Sequence, residues 1–149
     1  MLGMSKKTRY ALEAVVDIAY NARPDPVQAK DITARQGIPQ RYLEQVMQQL
    51  AKAGILRGVR GPKGGYRLAR ERRRISVGEV IRFVEELDDE EEMGETGSDL
   101  GRLVVRPLID QIEEEMLDRL DAISLEELCQ RARGADIPRA NGGATDFNI

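Results

Sequence analysis

Gln40, Arg41, Glu44, Gln45, Gln48 and Lys52 fall on one face of a helical wheel, with Leu43, Val46, Met47 and Leu50 on the other. Amides and guanidiniums on an outward helix face are the groups that read base edges. Glutamine can bond adenine through two hydrogen bonds and arginine can bond guanine, each pair giving about 1–3 kcal/mol of discrimination. Glu44 could accept from a cytosine amine. The N-terminal end of such a helix is the part that usually reaches the bases, which nominates Gln40, Arg41 and Gln45. Tyr42 suits a phosphate contact or packing against the turn. On an isolated helix the same pattern would be an ordinary solvated face, and the residues that follow it argue otherwise.

Gly61-Pro62-Lys63-Gly64-Gly65 joins two short apolar stretches, Ile55–Arg60 and Tyr66–Ala69, that read as strands. The glycines can take φ > 0 at a hairpin tip. Gly61 and Gly64 would let the backbone approach a duplex closely, while Arg60 and Lys63 reach a minor groove or flanking phosphates. Arg57, Arg67, Arg70 and Arg72-Arg73-Arg74 add charge. A nucleotide-phosphate loop is the competing reading. The Walker pattern needs Gly-Lys-Ser/Thr opening a helix, and here Gly64-Gly65-Tyr66 opens a strand. Lys6, Lys7 and Arg9 start the first helix against its dipole, so a phosphate contact gives them a use; a plain solvated terminus is the alternative.

Other chemistry finds little support. Histidine is absent and there is one cysteine, so a Cys129 nucleophile would lack an imidazole base, and no enzyme is expected. Cys129 shares an apolar helix face with Leu125, Leu128 and Ala132, which reads as a buried structural thiol rather than an exposed redox switch. The acidic run after Glu85 could hold a hard cation. It lacks EF-hand spacing, and a mutually repelling, solvated loop is the simpler reading.

The elements that must position these residues follow from period and punctuation. Ala11, Ala14, Val15, Ile18 and Ala22 make one stripe of a helix over Lys6–Ala22, with Leu12 and Val16 off that stripe, either core or partner-facing. Ala29–Gln36 is a short helix ending at Gly37, and Pro39 fits the first turn of the helix that carries the outward face. Gly54 suits the position just past its end. Ser76 and Glu79 have capping-box spacing for a helix over Ser76–Glu86, followed by a loop over Leu87–Asp99. Leu100–Ala122 reads as a long helix, bent or restarted at Pro107, with Leu100, Leu103, Val104, Leu108, Ile112 and Met116 in its stripe. Ser124 and Glu127 cap a last helix to Arg133, and Gly134–Ile149 reads as a disordered tail.

The fold class expected is therefore mainly α with a small β-hairpin: a winged helix-turn-helix over 4–87, an acidic loop over 88–99, dimerisation helices over 100–133 and a tail over 134–149. At 149 residues this is one domain with a helical appendage. Residues 1–75 hold 16 basic and 6 acidic side chains, whereas residues 76–149 hold 7 and 20. That asymmetry suits a polyanion for the first half and dimerisation, sensing or solubility for the second. No apolar run approaches the ~20 residues of a membrane span and no secretory signal opens the chain, so the cytoplasm is expected.

Ser5-Lys6-Lys7-Thr8-Arg9-Tyr10-Ala11, Gln36-Gly37-Ile38, Tyr42-Leu43-Glu44-Gln45, Val59-Arg60-Gly61-Pro62-x-Gly64-Gly65-Tyr66-x-Leu68-Ala69 and Val77-x-Glu79-Val80-Ile81 resemble the Rrf2 family of bacterial winged-helix transcription regulators. The resemblance covers most of 4–133. It implies a homodimer paired through the long helix, an imperfect palindrome as the double-stranded DNA operator, and DNA contacts at Tyr42, Gln45 and Arg60. Pro39, Gln40 and Arg41 lie where members vary. Cluster-binding members carry their cysteines between the fourth helix and the dimer helix, and here Glu85–Glu95 has none. Thiolates are the usual ligands of an iron–sulfur cluster, with histidine the usual substitute, so a regulator without a cluster, and with no other cofactor, is expected. A small-molecule effector and a controlling protein partner both stay open. The rival from another class is a winged-helix protein–protein interaction module that binds an acidic partner.

Overall fold

The computed structural model describes residues 4–22, 25–92 and 97–140. Its order is α1 (Lys6–Asn21), α2 (Ala29–Gln36), α3 (Gln40–Lys52), β1 (Leu56–Val59), β2 (Gly65–Leu68), α4 (Val77–Glu92), α5 (Arg106–Asp121) and α6 (Leu125–Gly134). A 3-10 turn, Arg72–Arg74, follows the hairpin, and a π-helical turn, Gly101–Val105, leads into α5. The mainly helical fold with one small hairpin agrees with the sequence reading. Residues 1–3, 23–24, 93–96 and 141–149 lie outside the described residues.

The first three helices form around one apolar centre. Ser5 caps α1, its hydroxyl accepting from the Thr8 N–H at 3.2 Å. Ala11, Ala14, Val15 and Ile18 are then fully buried. Leu12 and Val16 are half-buried and line a cleft of about 300 Å³ with Leu128, Ala132 and Ile137. Gly37 ends α2 at φ 68, a left-handed conformation that glycine adopts without a Cβ clash. Asp17 of α1 lies at 3% exposure and ties α2 in place. It accepts from Arg35 Nε at 2.9 Å, Arg35 Nη2 at 2.8 Å and Gln36 Nε2 at 2.8 Å. These bonds, helped by the Asp17 charge, raise the Arg35 pKa further above its ordinary value against the opposing effect of burial.

The hairpin is antiparallel, pairing Leu56 with Leu68 and Val59 with Gly65. Val27, in the linker after α1, adds a bridge to Tyr66, with N–H to O bonds of 2.8 and 2.7 Å. Gly65 is obligatory at this crossing: a Cβ there would lie 2.4 Å from the Val27 carbonyl oxygen.

Two features differ from expectation. α4 runs on to Glu92, into the acidic stretch read above as a loop. Glutamate is a good helix former, and the apolar face of Val77, Val80, Ile81 and Val84 had already nucleated the helix against the core. Residues 134–140 are also attached rather than loose. The Tyr20 hydroxyl donates to the Ile137 carbonyl at 2.6 Å, Arg139 Nε to the Tyr20 carbonyl at 3.0 Å, and the Ala140 N–H to Asn21 Oδ1 at 2.7 Å. The wider π turn ahead of Pro107 relieves the crowding a proline ring imposes on the preceding turn, so the helix continues through it.

α4 and α6 start side by side. Val77 N–H donates to Ile123 O at 2.8 Å and Leu125 N–H to Ile75 O at 2.9 Å, and Ser76 and Ser124 each cap the helix they precede. Leu125 and Cys129 are fully buried in the same core as α1. α5 packs along α4. Its inner end is held by Arg82 of α4, which reaches Asp121, Asp118 and Glu114 at 2.8–3.2 Å. The bonds to Asp121 chiefly, then to Glu114, raise the Arg82 pKa further above its ordinary value. Gly78 sits under this joint; a Cβ there would meet Asp121 Oδ1 at 1.9 Å and its backbone nitrogen at 2.7 Å.

Candidate nucleic-acid interface

α3 buries Leu43, Val46, Met47 and Leu50 and leaves Gln40, Arg41, Glu44, Gln45 and Gln48 exposed. The helix face read from the sequence is therefore the solvent face. Pro39 is exposed at the N-cap, where its carbonyl accepts from the Leu43 N–H at 3.0 Å and its missing N–H leaves no gap in the ladder. Gln40 Nε2 donates to Glu44 Oε1 at 3.0 Å, which links the first two turns of that face.

Tyr42 packs against the start of α1 rather than against the turn. It is half-buried, its ring centroid lies 6.0 Å from that of Tyr10, and its hydroxyl donates to the Lys7 carbonyl at 2.6 Å. The start of α1 is thereby fastened to the start of α3. Lys6, Lys7 and Arg9 are exposed on that first turn of α1. Their ammonium and guanidinium groups are presented beside the helix that carries Gln45.

Arg60, Gly61 and Lys63 are exposed at the hairpin tip. Gly61 has φ 111, which a side chain would strain. Gly64 differs from expectation: it is buried within the hairpin, where a Cβ would stand 2.2 Å from the Val59 carbonyl oxygen. Its N–H closes the turn on Gly61 O at 2.8 Å. Gly64 shapes the tip, and Gly61 is the exposed glycine there.

Charge is partitioned along the chain. The arginines beyond the hairpin are engaged: Arg70 pairs with Glu79, Arg72 with Glu126 of α6, and Arg73 with Glu71 at 2.6 Å. The bond from Arg73 holds the Glu71 carboxyl below its usual range. Sequence alone put these arginines with the tip because their partners lie elsewhere in the chain or on an unremarkable exposed carboxylate. Among the described residues, no ion pair engages Lys6, Lys7, Arg9, Arg41, Arg60 or Lys63. These cations are available to an external polyanion.

A helix-turn-helix with a hairpin of this kind is matched over residues 4–131 by the family model Rrf2, described as an iron-dependent transcriptional regulator. The chain belongs to the Rrf2 family. One relative is the HTH-type transcriptional regulator IscR of Xenorhabdus nematophila, 40% identical over 136 residues, spanning 90% of this chain and 83% of that one. Among solved structures, IscR of T. potens superposes with a TM-score of 0.72 at 33% identity, covering 93% of each chain. The oxidized form of Staphylococcus aureus CymR gives 0.68 at 28% identity, covering 85% of this chain and 95% of that one. As an Rrf2 protein the chain is a DNA-binding transcription regulator, not an enzyme.

The family's association with iron can be tested against the donors present. Iron–sulfur clusters are held by cysteine thiolates, and this Rrf2 chain has one cysteine and no histidine. Cys129 is fully buried on the apolar face of α6. That donor set does not fit a cysteine-held cluster. Among the described residues no group of three His, Cys, Asp or Glu is placed to hold a metal ion. Nor is any helix among them long and apolar enough to cross a membrane.

Proposed function

We propose that the chain is a cytoplasmic repressor that binds an imperfect DNA palindrome as a homodimer and carries no iron–sulfur cluster. The observation that carries the reading is the exposed face of α3. Gln40, Arg41 and Gln45 occupy its N-terminal half, and the first turn of α1, tied to α3 through Tyr42, carries exposed cations; among the described residues no ion pair engages these or the exposed cations of the hairpin tip. In this reading Arg41 and Gln45 enter a major groove and probe base edges. Lys6, Lys7, Arg9, Arg60 and Lys63 neutralise flanking phosphates, with Gly61 allowing close approach.

The homodimer is supported by the arm. Leu100, Leu103, Val104 and Leu108 are 58–66% exposed, with Val105 at 50% and Ile112 at 38%. A contiguous apolar face of this kind on a helix marks a protein interface. A second copy meeting it through the same face forms a two-fold pair, and two recognition helices related by that axis match a palindromic operator.

Fluorescence anisotropy tests the reading. The wild-type protein selects duplexes from a randomised pool, and its affinity for a selected duplex is compared with that for random duplex across a salt series. A preference of about 10³-fold or more, together with a linear fall of log K with log salt, is expected. Equal affinity for both duplexes at every salt concentration would favour the protein–protein module instead. Sedimentation of the free protein should give twice the monomer mass.

A further inference from the structure

We propose that Glu85 of α4 is a positioning residue for the DNA-reading surface, acting through Thr8. This rests on the DNA-binding reading above and adds a residue that lies outside the helix-turn-helix and the hairpin.

Thr8 stands in the first turn of α1 and is fully buried. Its Oγ1–H donates to Glu85 Oε1 at 2.9 Å. With that proton committed, the 2.9 Å contact between Ser5 Oγ and Thr8 Oγ1 is made by the serine proton. The Thr8 N–H in turn donates to Ser5 Oγ at 3.2 Å. Every polar proton of the cap is therefore directed, and Glu85 is the acceptor on which the order depends. The next link is the Lys7 carbonyl, which receives the Tyr42 hydroxyl at 2.6 Å. A continuous path thus runs from α4 through Glu85 and Thr8 to the Lys6–Arg9 turn, and from there to Tyr42 on α3.

Without an acceptor at position 85 the buried Thr8 hydroxyl must either stay unsatisfied or turn onto Ser5 Oγ. The second choice competes with the Thr8 N–H for the oxygen that caps α1. Either way the first turn loosens, and with it the three exposed cations and the Tyr42 anchor. Positioned cations add to affinity by the number of phosphates they neutralise, so the defect belongs in the salt dependence of binding as well as in affinity.

The test uses the full chain and the duplex selected by the wild-type protein. Glu85→Ala should weaken binding to that duplex about tenfold, with the slope of log K against log salt shallower by about one to two. Glu85→Gln keeps an oxygen acceptor and should restore both quantities. Thr8→Val removes the same bond from the other side, and the double variant should lose no more than either single one. A merely structural role would lower the melting temperature and leave the salt slope of the folded protein unchanged. Wild-type affinity and slope in folded Glu85→Ala, or a Glu85→Gln as impaired as Glu85→Ala, would overturn the proposal while leaving the DNA-binding reading intact. Should Glu85→Ala not fold, Thr8→Val decides by the same two readouts. A wild-type protein that selects no duplex would remove the DNA-binding reading itself, and the proposal with it.

Discussion

Replacing Arg35 with methionine should strand a buried carboxylate. The Asp17 side chain has no solvent exposure, and the Arg35 side chain has 28%. Among the described residues, two of the three hydrogen bonds to the Asp17 carboxylate come from Arg35, and the third comes from Gln36. Methionine preserves much of the stem volume and removes both donors and the charge. Breaking a buried ion pair by removing one partner costs about 3–5 kcal/mol. Arg35 is partly exposed, so water can approach from its side, and the lower end, about 3 kcal/mol, applies. For a chain of this size that corresponds to a fall of roughly 10 °C in Tm. The double variant Asp17→Asn/Arg35→Met carries no stranded charge and should recover more than half of the loss. Urea and thermal unfolding followed by circular dichroism measure both. An Arg35→Met protein within about 0.5 kcal/mol of wild type, or a double variant no more stable than Arg35→Met, would refute the argument.

Gly78→Ala drives a Cβ into the Asp121 backbone and side chain, an overpacking worth about 1–3 kcal/mol. It should also shift dimerisation, because it displaces the root of α5; equilibrium sedimentation reads that second effect. Leu108→Glu places a charge on the uncovered face of α5, where Leu108 is 58% exposed. It should leave the far-UV circular dichroism of the folded chain near wild type, lower Tm only by the lost stabilisation of association, and move the sedimenting species to monomer mass. Protein purified without oxygen should hold neither iron nor acid-labile sulfide in stoichiometric amount, which metal and sulfide analysis reports directly.

The helix-turn-helix and the hairpin were legible because their signals are local. The apolar period of α3 has an unambiguous inner face, and Gly37 stands where the chain needs a left-handed residue. The outward set at Gln40, Arg41 and Gln45 followed from that face alone. The extension of α4 was hidden because acidic composition suggests repulsion, whereas glutamate's helix preference and a nucleated helix ahead of it prevail. The engagement of Arg72 depends on Glu126, far along the chain, and no spacing rule connects them. Gly64 illustrates a different limit: glycine in a turn suggests backbone freedom, and here it answers a steric demand from Val59. Thr8 to Glu85 is likewise a pairing that only tertiary structure brings about.

The return of α6 into the first core has a consequence for how the molecule is made. Leu125 and Cys129 close a centre whose other walls are laid down by α1, and Ile137 and Ala140 are bonded to Tyr20 and Asn21 more than a hundred positions earlier. On the ribosome, the part of the core that α6 covers therefore stays unsealed until nearly the whole polypeptide has emerged. A chain ending after α4 would lack Leu125 and Cys129 and leave the part of the core that they cover open to solvent.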